Sequence, residues 1–290
     1  MIQKITPLLL GLIVVGCITA CEIKKDKPLI GEIRPSKEAI IKNQRDERRQ
    51  DEKTPGKEEE NTRGIDLTTL VDNHKGQILL RTGYVASYNP KTKLPNWVAW
   101  KLSRDHTAGK FKRQGIKYTE DQDVPLPRAT NIDYYNSGYD RGHMCPSGDN
   151  KWSSRAQEEC FLLTNICPQA HRLNSGAWND LEQQCRKWAR QFGSIYIICG
   201  PIFNREDGKT IGKNKVRVPD AFFKIVFRID EGTAQSIAFI YNNDDEEDSL
   251  STYLRPLSEI EGATGFSFFK ALPEKLRREL HGNQALGNWE

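Results

Sequence analysis

Residues 178–192 place the strongest constraint on what this chain can fold into. Trp178, Leu181, Cys185, Trp188 and Phe192 recur at i, i+3, i+7, i+10 and i+14, with Gly193 directly after them. That period gathers the apolar side chains into one stripe of a helix, and the glycine is a natural stop. The next run, Ser194-Ile195-Tyr196-Ile197-Ile198-Cys199, is nearly all apolar and ends in Gly200-Pro201, which reads as a buried strand. Further strands are expected over residues 77–84 and 97–102, with the Asn89-Pro90-Lys91 turn between them. Residues 221–230 and 234–241 read as a strand pair joined at Glu231-Gly232. Short helices are expected over residues 153–160 and 274–280, a long surface loop over 105–133, and an acidic loop over 244–248. Several strand connections are too short for a crossover helix, so the class is α/β of the α+β type, with a central, mostly antiparallel sheet flanked by helices.

The N-terminus has a different character. Met1 to Lys4 is a short positive start, and residues 5–15 form an apolar run broken only by Thr6, Pro7 and Gly11. Such a run is too short to span a bilayer as a helix and fits the core of a secretory signal. Cys17 follows Val14-Val15-Gly16, and Cys21 follows Ile18-Thr19-Ala20. Both settings resemble a bacterial lipobox. Cys21 is favoured because the charged run Glu22-Ile23-Lys24-Lys25-Asp26 begins directly after it, with Cys17 as the alternative. A lipid there holds a protein on a membrane without a spanning helix. The reading is a signal peptide over residues 1–20, a charged disordered tether over 21–64 and one domain over 65–290. The tether is dense in charge and poor in aromatic residues, so it cannot bury enough apolar surface to offset its ordering entropy. The chain is expected to be exported and anchored, on the periplasmic side or at the cell surface.

All six tryptophans lie beyond Gly64, where the composition changes. A net charge of +4 does not by itself announce a nucleic-acid partner, so any attraction to one must be local. Five cysteines follow the lipobox pair, at 145, 160, 167, 185 and 199. In an exported protein some pair, and an odd number leaves at least one free. The Cys-x-x-Cys spacing of a structural zinc site is absent.

Chemistry concentrates in Asp140-Arg141-Gly142-His143. An imidazole moves protons near neutral pH, and a guanidinium is the preferred fork for a phosphate. Further on stand Asn165, Asn174, Glu182 and Arg186. With Leu181 and Cys185 facing the core, Glu182 and Arg186 lie one step round the helix and stack at i, i+4. Asn174 sits in the loop just before that helix. Its amide oxygen with Glu182 would suit a hard cation such as Mg²⁺, which binds through few protein groups and keeps most of its waters. Taken singly, each residue has a plainer reading: Asn174 as a helix cap, Glu182 and Arg186 as a surface pair. His74, His106, His171 and His281 are given no role.

Taken together, the order Asp-Arg-Gly-His, Asn-x-x-Pro-Gln, Leu-Asn-x-x-x-Trp-x-x-Leu-Glu-x-x-x-Arg and an apolar strand ending in Gly-Pro resembles the DNA/RNA non-specific endonuclease family over residues 75–275. The resemblance implies a ββα-metal fold and Mg²⁺-dependent cleavage of DNA and RNA to 5′-phosphate ends, with Mn²⁺ as a substitute ion. It implies His143 as general base, Asn174 as direct metal ligand and Glu182 as a contact to the metal's water shell. Arg141 and Arg186 would stabilise charge on the phosphate. Asn165 would line the site and support substrate or neighbours, and Arg113 resembles an upstream phosphate-binding arginine. Asp140 is expected to fix the loop and Arg141. Family members often form homodimers. The alternative is a catalytically inactive, surface-anchored nucleic-acid-binding lipoprotein.

Overall fold

The computed structural model describes residues 64–72, 75–205, 207–244, 246, 248–282 and 285–289. The signal peptide, both lipobox cysteines, nearly all of the tether and His74 lie outside the described residues. In chain order the strands are β1 (Val71–Asp72), β2 (Gln77–Leu80), β3 (Val85–Asn89), β4 (Leu94–Ser103), β5 (Asp140–His143), β6 (Ile166–Gln169), β7 (Ser194–Ile202), β8 (Thr210–Ile211), β9 (Val216–Arg217), β10 (Ala221–Asp230), β11 (Thr233–Asn242) and β12 (Ser267–Phe268). The helices are α1 (Asn131–Tyr134), α2 (Ser154–Glu159), α3 (His171–Ser175), α4 (Ala177–Phe192), α5 (Leu257–Thr264) and α6 (Glu274–His281). Among the described residues no helix is long and apolar enough to cross a membrane.

Six strands form one antiparallel sheet in the order β11-β10-β7-β4-β3-β2. Alternation along β10 divides its side chains between two cores. Phe222 and Val226 join Trp178, Leu181, Cys185 and Trp188 of α4 on one face. Phe223, Ile225 and Phe227 pack on the other with Val71, Leu257, Ile260, Phe268 and Leu280. The helix read from its period is thus the cover of one sheet face, and Gly193, at φ +83°, turns the chain straight into β7. Sheet and helices stand as the α/β class requires.

Boundaries differ where local pattern is silent. The strand expected over residues 77–84 stops at Leu80 as β2. Residues 81–84 form a tight turn, in which the Arg81 N–H donates to the Tyr84 carbonyl, and lead into β3, a strand not expected from sequence that pairs back on β2. β7 runs through Gly200-Pro201 instead of stopping there. Its pairing with β4 ends at Val98↔Cys199, so Pro201, which has no N–H, sits beyond that ladder and opposite Phe222 of β10.

A second ribbon carries the motif. β5 pairs antiparallel with β6 in the register Asp140↔Gln169, Arg141↔Pro168, Gly142↔Cys167 and His143↔Ile166. Gly142 does not make a turn; it lies in extended backbone, where a Cβ would come within 2.7 Å of Gln169 Cβ. All five described cysteines are buried and free, so none of the pairing open to an exported chain is formed among them. They sit on separate elements of the core, and burial pushes the Cys160, Cys185 and Cys199 thiols up to about 12.

Candidate active site

Strand alternation sorts the four motif residues. Arg141 and His143 share one face of β5 and both meet Tyr118: the imidazole lies 5.5 Å from its ring and the guanidinium 5.5 Å above it. His143 is 9 % exposed, with Phe161 edge-on at 4.9 Å. Its Nε2 is buried and has no protein partner. Burial lowers the imidazole pKa to about 3, helped by the Arg113 charge, so His143 is neutral across the physiological range.

The arginines are placed differently from one another. Arg113 is exposed, stands 5.5 Å over the Phe161 ring and acts electrostatically on His143, so the upstream arginine does reach this site. Arg141 is held by Asn131, with Nε 3.1 Å from Oδ1 and Nη2 2.9 Å from the carbonyl, and lies against the Tyr118 and Tyr134 rings. Arg186 pairs with Asp149, Nη1 to Oδ1 at 2.8 Å, and Trp100 Nε1 donates to the other Asp149 oxygen at 3.1 Å. Asp149 is fully enclosed, and burial raises its carboxyl pKa against the pull of Arg186. Gly148 leaves room for this pair, since a Cβ there would lie 2.6 Å from Arg186 Nη1.

Asp140 and Gly142 occupy the other face. Asp140 does not hold Arg141. Its Oδ2 instead accepts from Asn174 Nδ2 and lies against His171 Nδ1, each at 2.9 Å. Alternation is the reason: neighbouring residues on a strand point to opposite sides. Asn174 lies within the turn α3, not in a loop, and Gly176 separates that turn from α4. Among the described residues no protein donor bonds its Oδ1, which leaves that oxygen free.

Trp178, Glu182 and Arg186 form an i, i+4, i+8 stripe on α4. The Trp178 indole N–H donates to the His143 carbonyl at 3.2 Å and also favours the charged form of Glu182. Glu182 keeps some surface exposure, yet its carboxyl is ringed by protein. Burial raises it to about 7, opposed by Lys224 and reinforced by Asp149. Lys224, on β10, is 1 % exposed with Nζ 3.9 Å from the Trp178 ring. Asn165 is fully buried; its amide accepts from the Cys145 N–H and donates to the Cys145 and Cys160 carbonyls at 2.8–2.9 Å. It braces the chain leaving β5 and presents no free polar atom to a substrate.

Sequence reasoning missed Asp149, Lys224, Asn131, Tyr118 and His171. Lys224 did leave a signal: a lone lysine inside Phe222-Phe223-Lys224-Ile225-Val226 must fall on a buried face. The others are known only through partners distant in sequence.

As a metal site the donors are few. Among the described residues no group of three or more His, Cys, Asp and Glu side chains converges. One free amide oxygen and one carboxyl that forms no ion pair among the described residues fit a hard ion that keeps several waters.

Residues 67–275 match the family model for DNA/RNA non-specific endonucleases. Mitochondrial endonuclease G of Homo sapiens is 36 % identical over 205 residues, 66 % of this chain and 69 % of that protein. Mitochondrial nuclease EXOG of Xenopus laevis is 35 % identical over 204 residues, 65 % of this chain but only 57 % of that protein. Nuclease C1 of Cunninghamella echinulata var. echinulata is 34 % identical over 210 residues, 67 % and 83 % of the two chains. A chain of the crystal structure of the EndoG/EndoGI complex aligns with a TM-score of 0.66 at 26 % identity, covering 73 % of this chain and 93 % of that one. Motif order, fold and a match over most of the chain agree: the protein belongs to the DNA/RNA non-specific endonuclease family.

Proposed function

We propose that the domain hydrolyses phosphodiester bonds of DNA and RNA in a Mg²⁺-dependent reaction with His143 as general base. The observation that carries this is the imidazole: buried, neutral, with an unpartnered Nε2, beside Arg113 and on the strand face of Arg141. A neutral imidazole with an open nitrogen is the form that accepts a proton. His143 takes a proton from water as the water oxygen bonds to phosphorus. The bond from phosphorus to the 3′ oxygen breaks. That oxygen takes a proton from a water beside Glu182 and leaves as a 3′ hydroxyl, and the phosphate stays on the 5′ side. The hydroxide so formed is neutralised by the proton that His143 returns to solvent. Arg113 and Arg141 hold the phosphate oxygens. Arg186, held by Asp149, adds positive potential that stabilises charge on the phosphate. Asn165 keeps the backbone after His143 in place.

The ion's ligands would be Asn174 directly and Glu182 through water, with Mn²⁺ as a substitute. When bound, the ion would polarise the phosphate and stabilise charge on the leaving oxygen. Contacts to phosphate carry no sequence information, so DNA and RNA are both substrates without sequence preference. The test is plasmid and RNA digestion by the purified chain in Mg²⁺ and in EDTA, beside His143→Ala. Digestion by His143→Ala at the parental rate removes His143 as base.

The membrane part of the proposal rests on the first 26 residues alone: a lipid on Cys21, or on Cys17, anchors the exported domain. Mass spectrometry of the membrane fraction tests it, and a mature chain without lipid refutes it.

A further inference from the structure

A cavity of about 700 Å³ opens among the β3–β4 turn, the segment after β7 and the β8–β9 hairpin, and it shares no lining residue with the His143 site. Its walls carry Lys91, Lys93, Arg205, Lys215 and Arg217 against one described acid, Asp207. Two of these cations are nearly withdrawn from water, Arg217 at 6 % and Lys93 at 8 % exposure. Among the described residues neither forms an ion pair. Lys93 Nζ reaches only the Lys91 carbonyl, at 3.4 Å, while Arg217 donates to the Arg205 carbonyl and stands 5.5 Å over the Phe203 ring. Glu206 is outside the described residues. Buried cations without counter-ions are costly, and in folded proteins such groups are normally paired or ligand-bound.

The backbone supplies a second observation. Lys93 and Lys215 have φ of +62° and +55°, in the left-handed region that strains any side-chain-bearing residue. The two hairpin turns that adopt it hold both lysines at the cavity wall.

This cavity is tied to the motif strand. Lys209, next to Gly208 of the wall, places Nζ 3.1 Å from the Tyr139 hydroxyl, and Tyr139 directly precedes Asp140. At the β8–β9 turn, Asn214 bonds Asp133 of α1 through its backbone N–H and its side-chain amide, each at 2.9 Å. Helix α1 also holds Arg141 through Asn131. From these contacts we infer that the cavity is an accessory nucleotide-phosphate site, which takes a phosphate-bearing unit away from the scissile bond. Its size is that of a small-ligand pocket, not of a lone phosphate. The inference rests on the nuclease reading above.

The test uses the full chain carrying His143→Ala, so that nucleic acid is bound and not cut. Fluorescence anisotropy of a long and a very short labelled oligonucleotide is measured against salt, beside calorimetry with adenosine 5′-monophosphate. Two variants are compared: Lys91→Gln/Lys215→Gln, which alters exposed side chains only, and the same pair with Lys93→Gln. Expected are affinity for the long strand about tenfold weaker and a salt slope shallower by about one for each phosphate no longer neutralised, with the short strand unaffected. Loss confined to the long strand identifies the substrate chain as occupant; loss of the mononucleotide identifies released product. Parental affinity and slope for both ligands in both variants overturn the site. If the parent chain neither binds nor cuts nucleic acid, the nuclease reading fails and the site falls with it. A parent that binds and cuts, beside unchanged variants, sinks the site alone.

Discussion

Asn174 donates from Nδ2 to Asp140 Oδ2 at 2.9 Å, so the acid of Asp-Arg-Gly-His clamps the amide that follows it by 34 residues. One bond joins the strand carrying the base to the turn carrying the proposed metal ligand. With Nδ2 committed, Oδ1 is the atom left to face a cation.

Replacing Asp140 by Ala therefore should act on metal dependence before anything else. Partners that orient a ligand typically carry about 10–100-fold in metal affinity or activity. Mg²⁺ titration of plasmid cleavage should show half-saturation moved up by about that factor, with the fold intact by circular dichroism. An unchanged Mg²⁺ curve would mean that the Asp140–Asn174 bond is structural only.

His143 predicts a pH-dependent stability. Its folded pKa, about 3, lies below the ordinary value of 6.5, so the unfolded chain binds the extra proton between those limits. The contribution to stability is full above 6.5 and is lost as pH falls towards 3. A tenfold difference in proton affinity between the two states is worth about 1.4 kcal/mol, so the whole effect is a few kcal/mol. Urea midpoints in EDTA should fall more steeply from pH 6.5 to 4 in the parent than in His143→Ala; parallel curves would show that the imidazole is not held neutral by the fold.

Glu182 predicts the opposite sign. Burial raises its carboxyl from 4.5 to about 7, so the folded state holds a proton that the unfolded state has released. That contribution is complete below 4.5 and is lost as pH rises through 7. Gln resembles the protonated acid. In EDTA, Glu182→Gln should melt higher than the parent at pH 8 and nearly with it at pH 5, while cleavage falls sharply. Equal melting temperatures at pH 8 would indicate a solvated carboxylate.

The Arg186–Asp149 pair should behave as a buried ion pair. Removing one partner leaves an uncompensated charge, a loss of about 3–5 kcal/mol. Asp149→Ala should lose that much in urea unfolding, and Gly148→Ala should lose part of it by displacing the guanidinium. A change under about 0.5 kcal/mol in Asp149→Ala would place the pair in solvent.

Gly142→Ala should destabilise through overlap with Gln169, by about 1–3 kcal/mol. Gly138→Ala provides the contrast: no atom lies within 4 Å of its Cβ position, and only its φ of +81° resists substitution. If the two differ only in backbone strain, the β5–β6 approach is looser than described.

Residues 178–199 were legible because a helix stripe and a buried strand each leave their period in consecutive residues. The same holds for β10 and β11, whose turn residues, Glu231 and Gly232, both have positive φ. Motif order brought His143, Arg141, Asn174 and Glu182 together as an expected constellation, which remains the proposal tested above. Pairing across long separations left no such trace. The β5–β6 register, Asp140 on Asn174 in place of Arg141, Asp149 on Arg186, and Lys224 beneath Trp178 all arise only once the sheet and α4 bring distant segments together. So do the five unpaired thiols, whose elements face the core from separate directions. Periodicity reports which side of an element is apolar. Which charge meets which is settled by packing, because a buried charge accepts whatever partner the assembled core supplies.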